Sequence, residues 1–383
     1  MSIYLDYNAT APIDPRVLST MIDVYQNHIG NADSRTHNHG EQARGIVEKA
    51  RSQVASLLGV DPTEVFFTSG ATESNNIALQ GLKLFAEETK KKHIITSSIE
   101  HKAVLETAKA LSSQGYEVDF LDPDRNGRIS AEKVCSSIKD NTLIVSLMHV
   151  NNETGIIQPV DDVGDYLMNK GPLFHVDATQ SCGKLVEEIR GLKYDMLSFS
   201  AHKLMGPQGI GCLVLRKKDY KRPPVRSIMF GGQQENGIRP GTVPVALVAG
   251  CGEACALAEK EYKNRNEKTK RIKNILFELL AQSGLDYRIN GSQEWCVSNT
   301  VNLCFPGVSS EAVMLLSREY CSISNGSACT SRSYSPSYVL LAMGLSIDQI
   351  ESSIRVSWGA DTDERQFCAE FSSLLAVVKE IGQ

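Results

Sequence analysis

A lysine and a carboxylate stand where two apolar runs of the sequence end. Lys203 closes Ser200-Ala201-His202-Lys203, which follows the run 196–199, and Asp177 follows the run 173–176. A lysine in a partly desolvated pocket can form an imine with an aldehyde, and a Ser and a His beside it can hold a phosphate. A buried Asp that faces a pyridine-type ring nitrogen keeps that nitrogen protonated. Taken alone, Lys203 also fits a solvated loop, and Asp177 also fits a helix cap or a magnesium ligand.

A glycine turn between a predicted strand and a predicted helix is the third candidate, at residues 67–75. Free N–H groups around Gly70-Ala71-Thr72 and the helix dipole favour an anion, and the Thr72 hydroxyl adds a donor. The turn has neither the GxxxxGK[ST] nor the GxGxxG spacing, so it predicts neither a nucleotide P-loop nor a dinucleotide site. A capped helix without a ligand remains the alternative.

Three more polar side chains follow apolar runs. His101 comes shortly after the run 93–96 and offers an imidazole that can stack on a flat ring. Gln180, three residues after Asp177, can donate to a phenolic oxygen, and Asn152 in Val150-Asn151-Asn152-Glu153 offers an amide to a substrate or to the same oxygen. Helix capping, core packing and turn chemistry explain the same residue types.

The elements that must position these residues form an α/β pattern. Short apolar runs alternate with stretches of helical period, and seven of the runs predict strands of a mostly parallel sheet. The runs are 65–67, 93–96, 117–120, 143–146, 173–176, 196–199 and 211–215. Ligands of such sheets bind beyond the carboxyl ends of the strands. The candidate residues are therefore expected to share one crevice.

A change of pattern predicts a second, smaller α+β domain. Residues 254–280 predict one long charged amphipathic helix, which we expect to link the domains. The expected large domain comprises 13–258, and the expected small domain comprises 1–12 and 259–383, with a cysteine-bearing loop at about 324–335.

Composition narrows the class of protein. The 383 residues carry a net charge of −5, which predicts no direct grip on nucleic acid or an anionic membrane. No signal peptide and no apolar run near the roughly 20 residues of a membrane span is evident, so we expect a cytoplasmic protein. The ten cysteines include no CxxC pair. Cys251 and Cys255 predict helix packing, and no metal site is expected.

Taken in order, these motifs resemble the cysteine desulfurases, fold-type I pyridoxal-phosphate enzymes of the class V aminotransferase group. The resemblance runs nearly from end to end, and its other motifs are short segments spread over both halves. They are Tyr4-Leu5-Asp6-Tyr7-Asn8-Ala9-Thr10, Gly30-Asn31 through His37, Glu100-His101, Arg239-Pro240-Gly241-Thr242, Ser327-Ala328-Cys329-Thr330-Ser331 and Ser353-Ile354-Arg355. It implies a homodimer that uses pyridoxal 5′-phosphate and L-cysteine and passes sulfur to an acceptor protein.

The resemblance also assigns roles. Lys203 binds the cofactor aldehyde and is the expected base, His101 stacks on the ring and relays protons, and Asp177 and Gln180 face the ring nitrogen and phenolic oxygen. Groups implied to hold the phosphate are Ala71, Thr72, Ser200, His202 and, from the partner subunit, the stretch at Gly241-Thr242. Arg355 grips the substrate carboxylate, with Asn31 and Asn152 near the substrate.

Cys329 is the distinguishing residue, in a loop of small residues that we expect to be mobile. Its thiolate takes the substrate sulfur as a persulfide and carries it to an acceptor, and alanine leaves. Iron–sulfur cluster assembly, tRNA thiolation and DNA phosphorothioation remain open as destinations. A selenocysteine lyase, an aminotransferase and a non-catalytic scaffold are the alternatives. Asp33 and Pro240 depart from the family pattern near the pocket.

Overall fold

Strands and helices alternate along the chain in a computed structural model, which describes residues 2–168, 170–325 and 335–383. The strands are β1 (Ile3–Tyr4), β2 (Val65–Thr68), β3 (His93–Ser97), β4 (Glu117–Leu121), β5 (Thr142–Met148), β6 (Leu173–Asp177), β7 (Met196–Ser200), β8 (Gly211–Leu215), β9 (Arg288–Ile289), β10 (Thr300–Cys304), β11 (Cys321–Ser322) and β12 (Ser353–Ser357). The helices are α1 (Pro15–Asn27), α2 (Asn38–Leu58), α3 (Ala71–Gln80), α4 (Lys83–Thr89), α5 (Lys102–Ser112), α6 (Ala131–Ser136), α7 (Val160–Leu167), α8 (Val186–Gly191), α9 (Val245–Ser283), α10 (Ser310–Leu316), α11 (Tyr338–Ala342), α12 (Ile347–Glu351) and α13 (Glu364–Ile381).

The main sheet has seven strands in the order β2-β8-β7-β6-β5-β3-β4. Strand β8 runs antiparallel to both of its neighbours, and the other pairs are parallel. The predicted mostly parallel seven-stranded sheet is therefore confirmed. Because β8 lies between β2 and β7, the carboxyl ends of β2, β7, β6, β5 and β3 still lie at one edge.

Helices cover both faces of this sheet. Two separate clusters of buried side chains lie against it, one containing Phe67, Val176 and Phe199, the other containing Phe66 and Leu213. Successive residues of a strand point to opposite faces, so a strand covered on both faces needs apolar side chains at almost every position. This is why the strands read as continuous apolar runs in the sequence.

A second core lies around the antiparallel sheet β12-β10-β9. Trp358 and Phe367 meet edge to face there, and Phe367 stacks on Phe371 with ring centroids 5.3 Å apart. Helix α9 is longer than the predicted link and contributes to both cores, since Val248 belongs to the large one and Leu276 to the small one. The α+β character of this part agrees with the prediction, and the exact domain boundaries remain predictions.

An ion pair anchors the loop before α9 to the edge of the main sheet. Arg51 contacts both carboxylate oxygens of Glu235, at 2.8 and 2.9 Å, and the N–H of Phe67 donates to the same carboxylate at 2.8 Å. Glu235 and Asn236 have φ angles of 49° and 54°, which cost non-glycine residues of order 1 kcal/mol each. The ion pair therefore holds a strained turn in place. Among the described residues, no helix is long and apolar enough to cross a membrane.

Candidate functional site

A cavity of about 460 Å³ lies at the carboxyl ends of the parallel strands. Its size is typical of small-molecule sites. It is lined by Asn8, Ala9, Ala71, Thr72, His101, Met148, Val150, Asn152, Asp177, Thr179, Gln180, Ser200, His202, Lys203 and Arg355. All predicted site residues except Asn31, Thr242 and Cys329 are in this lining, so the fold brings together side chains from both halves of the chain.

Asp177 is the last residue of β6 and is only 4% exposed. Asn75 of α3 donates to its Oδ2 at 2.7 Å, and the N–H of Thr179 donates to its Oδ1 at 2.9 Å. These contacts come from two different elements and fix the orientation of the carboxyl group. A buried carboxyl held in this way can face a protonated ring nitrogen.

Lys203 ends a single 3-10 turn that directly follows β7. Its Nζ donates to the backbone oxygens of Asn8, at 2.5 Å, and Ala9, at 2.6 Å. The N-terminal segment thus holds the amine at the cavity wall. A lysine placed there can reach an aldehyde bound in the cavity.

Helix α3 begins at the cavity without a side-chain cap. The N–H of Ala71 donates to Ser200 Oγ at 2.7 Å, and Thr72 lines the cavity beside it. Gly70 has φ 150°, and a Cβ added there would lie 3.2 Å from Ser200 Oγ. The first N–H groups of a helix have no partner within the helix and attract anions. This end of the cavity therefore fits a phosphate.

Two histidines line the cavity, and both have lowered pKa values. Burial lowers the pKa of His101, and nearby Lys203 lowers it further against the opposing charge of Asp177. Burial, again with Lys203, lowers the pKa of His202 to about 4. Both rings are therefore neutral at pH 7. His101 Nδ1 accepts from the N–H of Ala103 at 3.1 Å, so the proton of the neutral ring lies on Nε2 and is available to a ligand.

Arg355, in the middle of β12, is 2% exposed. Its Nη2 contacts Asp6 Oδ1 at 2.6 Å, and its Nη1 donates to the backbone oxygen of Asn152 at 2.9 Å. Arg355 Nε and Asn152 Oδ1 are buried, and neither has a hydrogen-bond partner among the described residues. Buried polar atoms almost always have partners, so unpaired atoms on two cavity-lining residues indicate a polar ligand.

The side-chain amide of Gln180 is hydrogen-bonded at both of its ends. Its Nε2 donates to the backbone oxygen of Asn8 at 3.0 Å, and its Oε1 accepts from Lys184 Nζ at 3.3 Å. The amide therefore has a defined orientation, with the NH₂ group toward the segment that also holds Lys203.

Asn31 and Thr242 do not line the cavity of the single chain. Asn31 is exposed, and its Oδ1 accepts from the N–H of Asp33 at 2.9 Å in a local turn. Thr242 is exposed in the loop before α9. Gln234 links the two segments, because its Nε2 donates to Asp33 Oδ2 at 2.8 Å and its Oε1 accepts from the N–H of Gly241 at 3.0 Å. The roles predicted for Asn31 and Thr242 remain predictions.

Cys329 lies outside the described residues, but both described ends of its segment are tied to the cavity wall. On one side Ser324 pairs with Arg355, the N–H of Ser324 donating to the Arg355 oxygen at 3.2 Å. On the other side Ser337 Oγ donates to Glu153 Oε2 at 2.5 Å, and Tyr338 Oη donates to the backbone oxygen of Glu100 at 2.8 Å. Glu100 and Glu153 are the sequence neighbours of His101 and Asn152.

The sequence prediction missed the partners of the site residues. Asn75 orients Asp177, the backbone oxygens of Asn8 and Ala9 hold Lys203, and Asp6 holds Arg355. Asp6, Asn8 and Ala9 stand inside the motif at 4–10 that carries the family resemblance, and Asn75 directly follows the motif at 68–74. A place in or beside a motif was therefore the only available signal, because the contacts of these residues join distant parts of the chain.

Comparison with known proteins gives the family. A model described as Aminotransferase class-V matches residues 3–367. The cysteine desulfurase IscS of Pseudomonas putida strain F1 is 45% identical over 368 residues, which cover 96% of this chain and 90% of that protein. A solved structure described as a NifS-like protein aligns with a TM-score of 0.91 at 36% identity, covering 99% of this chain and 100% of that one. The structure of SspA in complex with cysteine aligns with a TM-score of 0.80 at 36% identity, covering 92% and 98%. The chain therefore belongs to the cysteine desulfurases, a pyridoxal-phosphate-dependent group of the class V aminotransferase family.

Proposed function

We propose that this chain binds pyridoxal 5′-phosphate and L-cysteine, transfers the cysteine sulfur to Cys329 and releases L-alanine. One observation carries the proposal: a lysine amine, a buried carboxyl, an uncapped helix start and a buried arginine converge on one cavity. Arg355 Nε and Asn152 Oδ1 support it further, because within the described part of the chain neither buried atom has a hydrogen-bond partner and both are left for a ligand.

The cavity residues fit the cofactor group by group. When bound, pyridoxal phosphate supplies an electron-withdrawing ring that stabilises the negative charge left on an amino acid after loss of its α-proton. Asp177 would hold a proton at the ring nitrogen, and Gln180 and His101 would contact the ring. The groups that would hold the phosphate are the N-terminus of α3 with Ala71 and Thr72, Ser200, His202 and the partner's Thr242.

The substrate contacts follow from the remaining lining. Arg355, whose Nε has no hydrogen-bond partner among the described residues, presents a guanidinium to the substrate carboxylate, with Asn152 and Asn31 near the substrate. Lys203 removes the α-proton and returns it. Cys329 thiolate attacks the substrate sulfur, forming an S–S bond while the C–S bond breaks with its electron pair on carbon. Protonation of that carbon gives alanine.

We further propose a cytoplasmic homodimer that hands the persulfide sulfur to an acceptor protein without binding nucleic acid directly. An apolar row on and just beyond α1 is exposed in the single chain and supports an oligomer: Leu18, Ile22, Tyr25 and Ile29. Light scattering of the purified protein measures the oligomeric state. Among the destinations, we rank iron–sulfur cluster assembly ahead of tRNA thiolation and DNA phosphorothioation.

The test is product analysis with purified protein, pyridoxal phosphate, L-cysteine and a thiol reductant. Wild type should release sulfide and alanine in equal amounts, and Cys329→Ala should release no sulfide. Cys368→Ala is the matched control, because Cys368 is a partly exposed thiol on α13 and should leave both products unchanged. Sulfide from Cys329→Ala at the wild-type rate would refute the persulfide role of Cys329.

Other outcomes favour the alternatives. Activity with selenocysteine and none with cysteine would make the chain a selenocysteine lyase. Conversion of a 2-oxo acid to an amino acid without sulfide would make it an aminotransferase. No visible absorbance band after addition of pyridoxal phosphate would leave a non-catalytic scaffold.

A further inference from the structure

Lys184 lines a second, smaller cavity that shares Lys203 with the large cavity of the site. A small cavity of about 60 Å³ is lined by both Lys184 and Lys203, together with Tyr7, Arg265, Asn266 and Trp358. Lys203 also lines the large cavity. The two lysines therefore belong to one continuous group of side chains around the site, although Lys184 does not reach the large cavity.

A chain of hydrogen bonds joins Lys184 to the site. Lys184 Nζ donates to Gln180 Oε1 at 3.3 Å, and Gln180 Nε2 donates to the Asn8 backbone oxygen at 3.0 Å. The same Asn8 oxygen accepts from Lys203 Nζ at 2.5 Å. A charged lysine ammonium has donors and no acceptor. Its contact with Gln180 therefore selects the amide orientation in which the oxygen faces Lys184. The NH₂ group then faces the Asn8 segment and the large cavity.

The positive charge of Lys184 is balanced less directly than that of its neighbour Arg265. Arg265 forms an ion pair with Glu261 at 2.9 Å, whereas the contact of Lys184 Nζ is with the neutral Gln180 amide. Burial, with the charge of Lys203 as the second cause, lowers the pKa of Lys184 to about 7, and the Cys182 thiol acts in the opposite direction. Besides the two lysines, Tyr7 and Arg265 are the titratable groups of the small cavity.

We propose that Lys184 is a positioning residue of the active site: its amine fixes the direction in which Gln180 presents its N–H groups. This inference rests on the proposed function, because the group that would meet the Gln180 amide is the phenolic oxygen of the cofactor. An amide turned the other way would present its own oxygen to the phenolic oxygen. Lys184 thus acts on the cofactor only through Gln180.

The experiment compares cofactor binding in wild type, Lys184→Met, Lys184→Gln and Lys184→Arg. Apo protein is titrated with pyridoxal phosphate at pH 6, where Lys184 is charged, and the visible band of the bound cofactor measures the fraction bound. Lys83→Met is the matched control, because Lys83 Nζ at the start of α4 donates to Gln80 Oε1 at the end of α3 at the same 3.3 Å, and neither residue lines the cavity.

Lys184→Met should weaken cofactor binding by about 3- to 10-fold, the typical effect of one lost hydrogen bond. Lys184→Gln carries both a donor and an acceptor and no longer selects the orientation of Gln180, so its cofactor affinity should fall by a similar factor. Lys184→Arg carries donors only, so its cofactor affinity should stay within about twofold of wild type.

Cofactor affinities of Lys184→Met and Lys184→Gln that match those of wild type and Lys83→Met would overturn the inference. If Lys184→Met fails to fold in a thermal melt, Lys184→Gln alone decides it. A wild-type protein that forms no visible band would instead refute the proposed function, so the two failures are distinguishable.

Discussion

Replacement of Glu100 by glutamine should change how stability depends on pH. Glu100 is fully buried, its Oε1 accepts from Ser97 Oγ at 2.6 Å and from the N–H of Met148 at 2.9 Å, and its Oε2 has no partner among the described residues. Burial raises the pKa of this carboxyl to about 8, against the lowering effect of the two hydrogen bonds. Glu100 is therefore a neutral acid at pH 7, which a glutamine imitates in shape and charge.

The magnitude follows from proton linkage. Below pH 4.5 the carboxyl is protonated in both folded and unfolded chains, so its stabilising contribution is fully present. Between 4.5 and about 8 the unfolded chain loses the proton while the folded chain keeps it, and the free energy of unfolding falls by about 1.4 kcal/mol per pH unit. The uncharged glutamine of the variant has no such slope. From pH 5 to pH 8 the balance should shift toward Glu100→Gln by up to about 4 kcal/mol.

The assay is thermal melting of both proteins at half-unit steps from pH 5 to pH 8. For a chain of this length, a shift of about 4 kcal/mol in the free energy of unfolding corresponds to roughly 5 °C. Glu153, whose pKa burial raises to about 7, is present in both proteins and cancels from the difference. Glu88→Gln, at an exposed carboxyl of α4, is the control and should run parallel to wild type. Parallel curves for Glu100→Gln as well would refute the neutral-acid assignment.

Two further predictions concern charged pairs. Arg355→Lys should raise KM for cysteine about 10- to 100-fold in steady-state assays while cofactor affinity stays within about twofold, because an ammonium cannot contact Asp6, Asn152 and a carboxylate in one plane. Arg271→Lys, at an exposed pair with Glu364, is the control, and an unchanged KM for Arg355→Lys would argue against Arg355 as the carboxylate ligand. Glu235→Ala should lower the free energy of unfolding by about 3–5 kcal/mol in a denaturant titration, because it leaves the largely buried Arg51 with only the exposed Glu48 as an ion-pair partner. Glu48→Ala, which removes that exposed partner, should cost under about 1 kcal/mol, and similar losses for both variants would contradict the anchoring role.

The strands and the polar residues that follow them could be predicted from the sequence. Apolar runs of about four or five residues mark strands that are covered on both faces, and the covered sheet places whatever follows each run at one edge. Lys203, Asp177, His101 and Asn152 were identified in this way, and the structure places all four in one cavity lining.

What only the tertiary structure decided is which groups hold those residues. The contact between Arg355 and Asp6 spans 349 positions of sequence, and the contact between Lys203 and the Asn8 oxygen spans 195. No sequence pattern pointed to Lys184. Its contact with Gln180 matters for the site only because the same amide also donates to the Asn8 backbone oxygen. Periodicity reports the local environment of a residue, but hydrogen bonds between distant segments depend on how the elements pack. For that reason the sequence determined the kinds of chemistry present, and the fold determined their geometry.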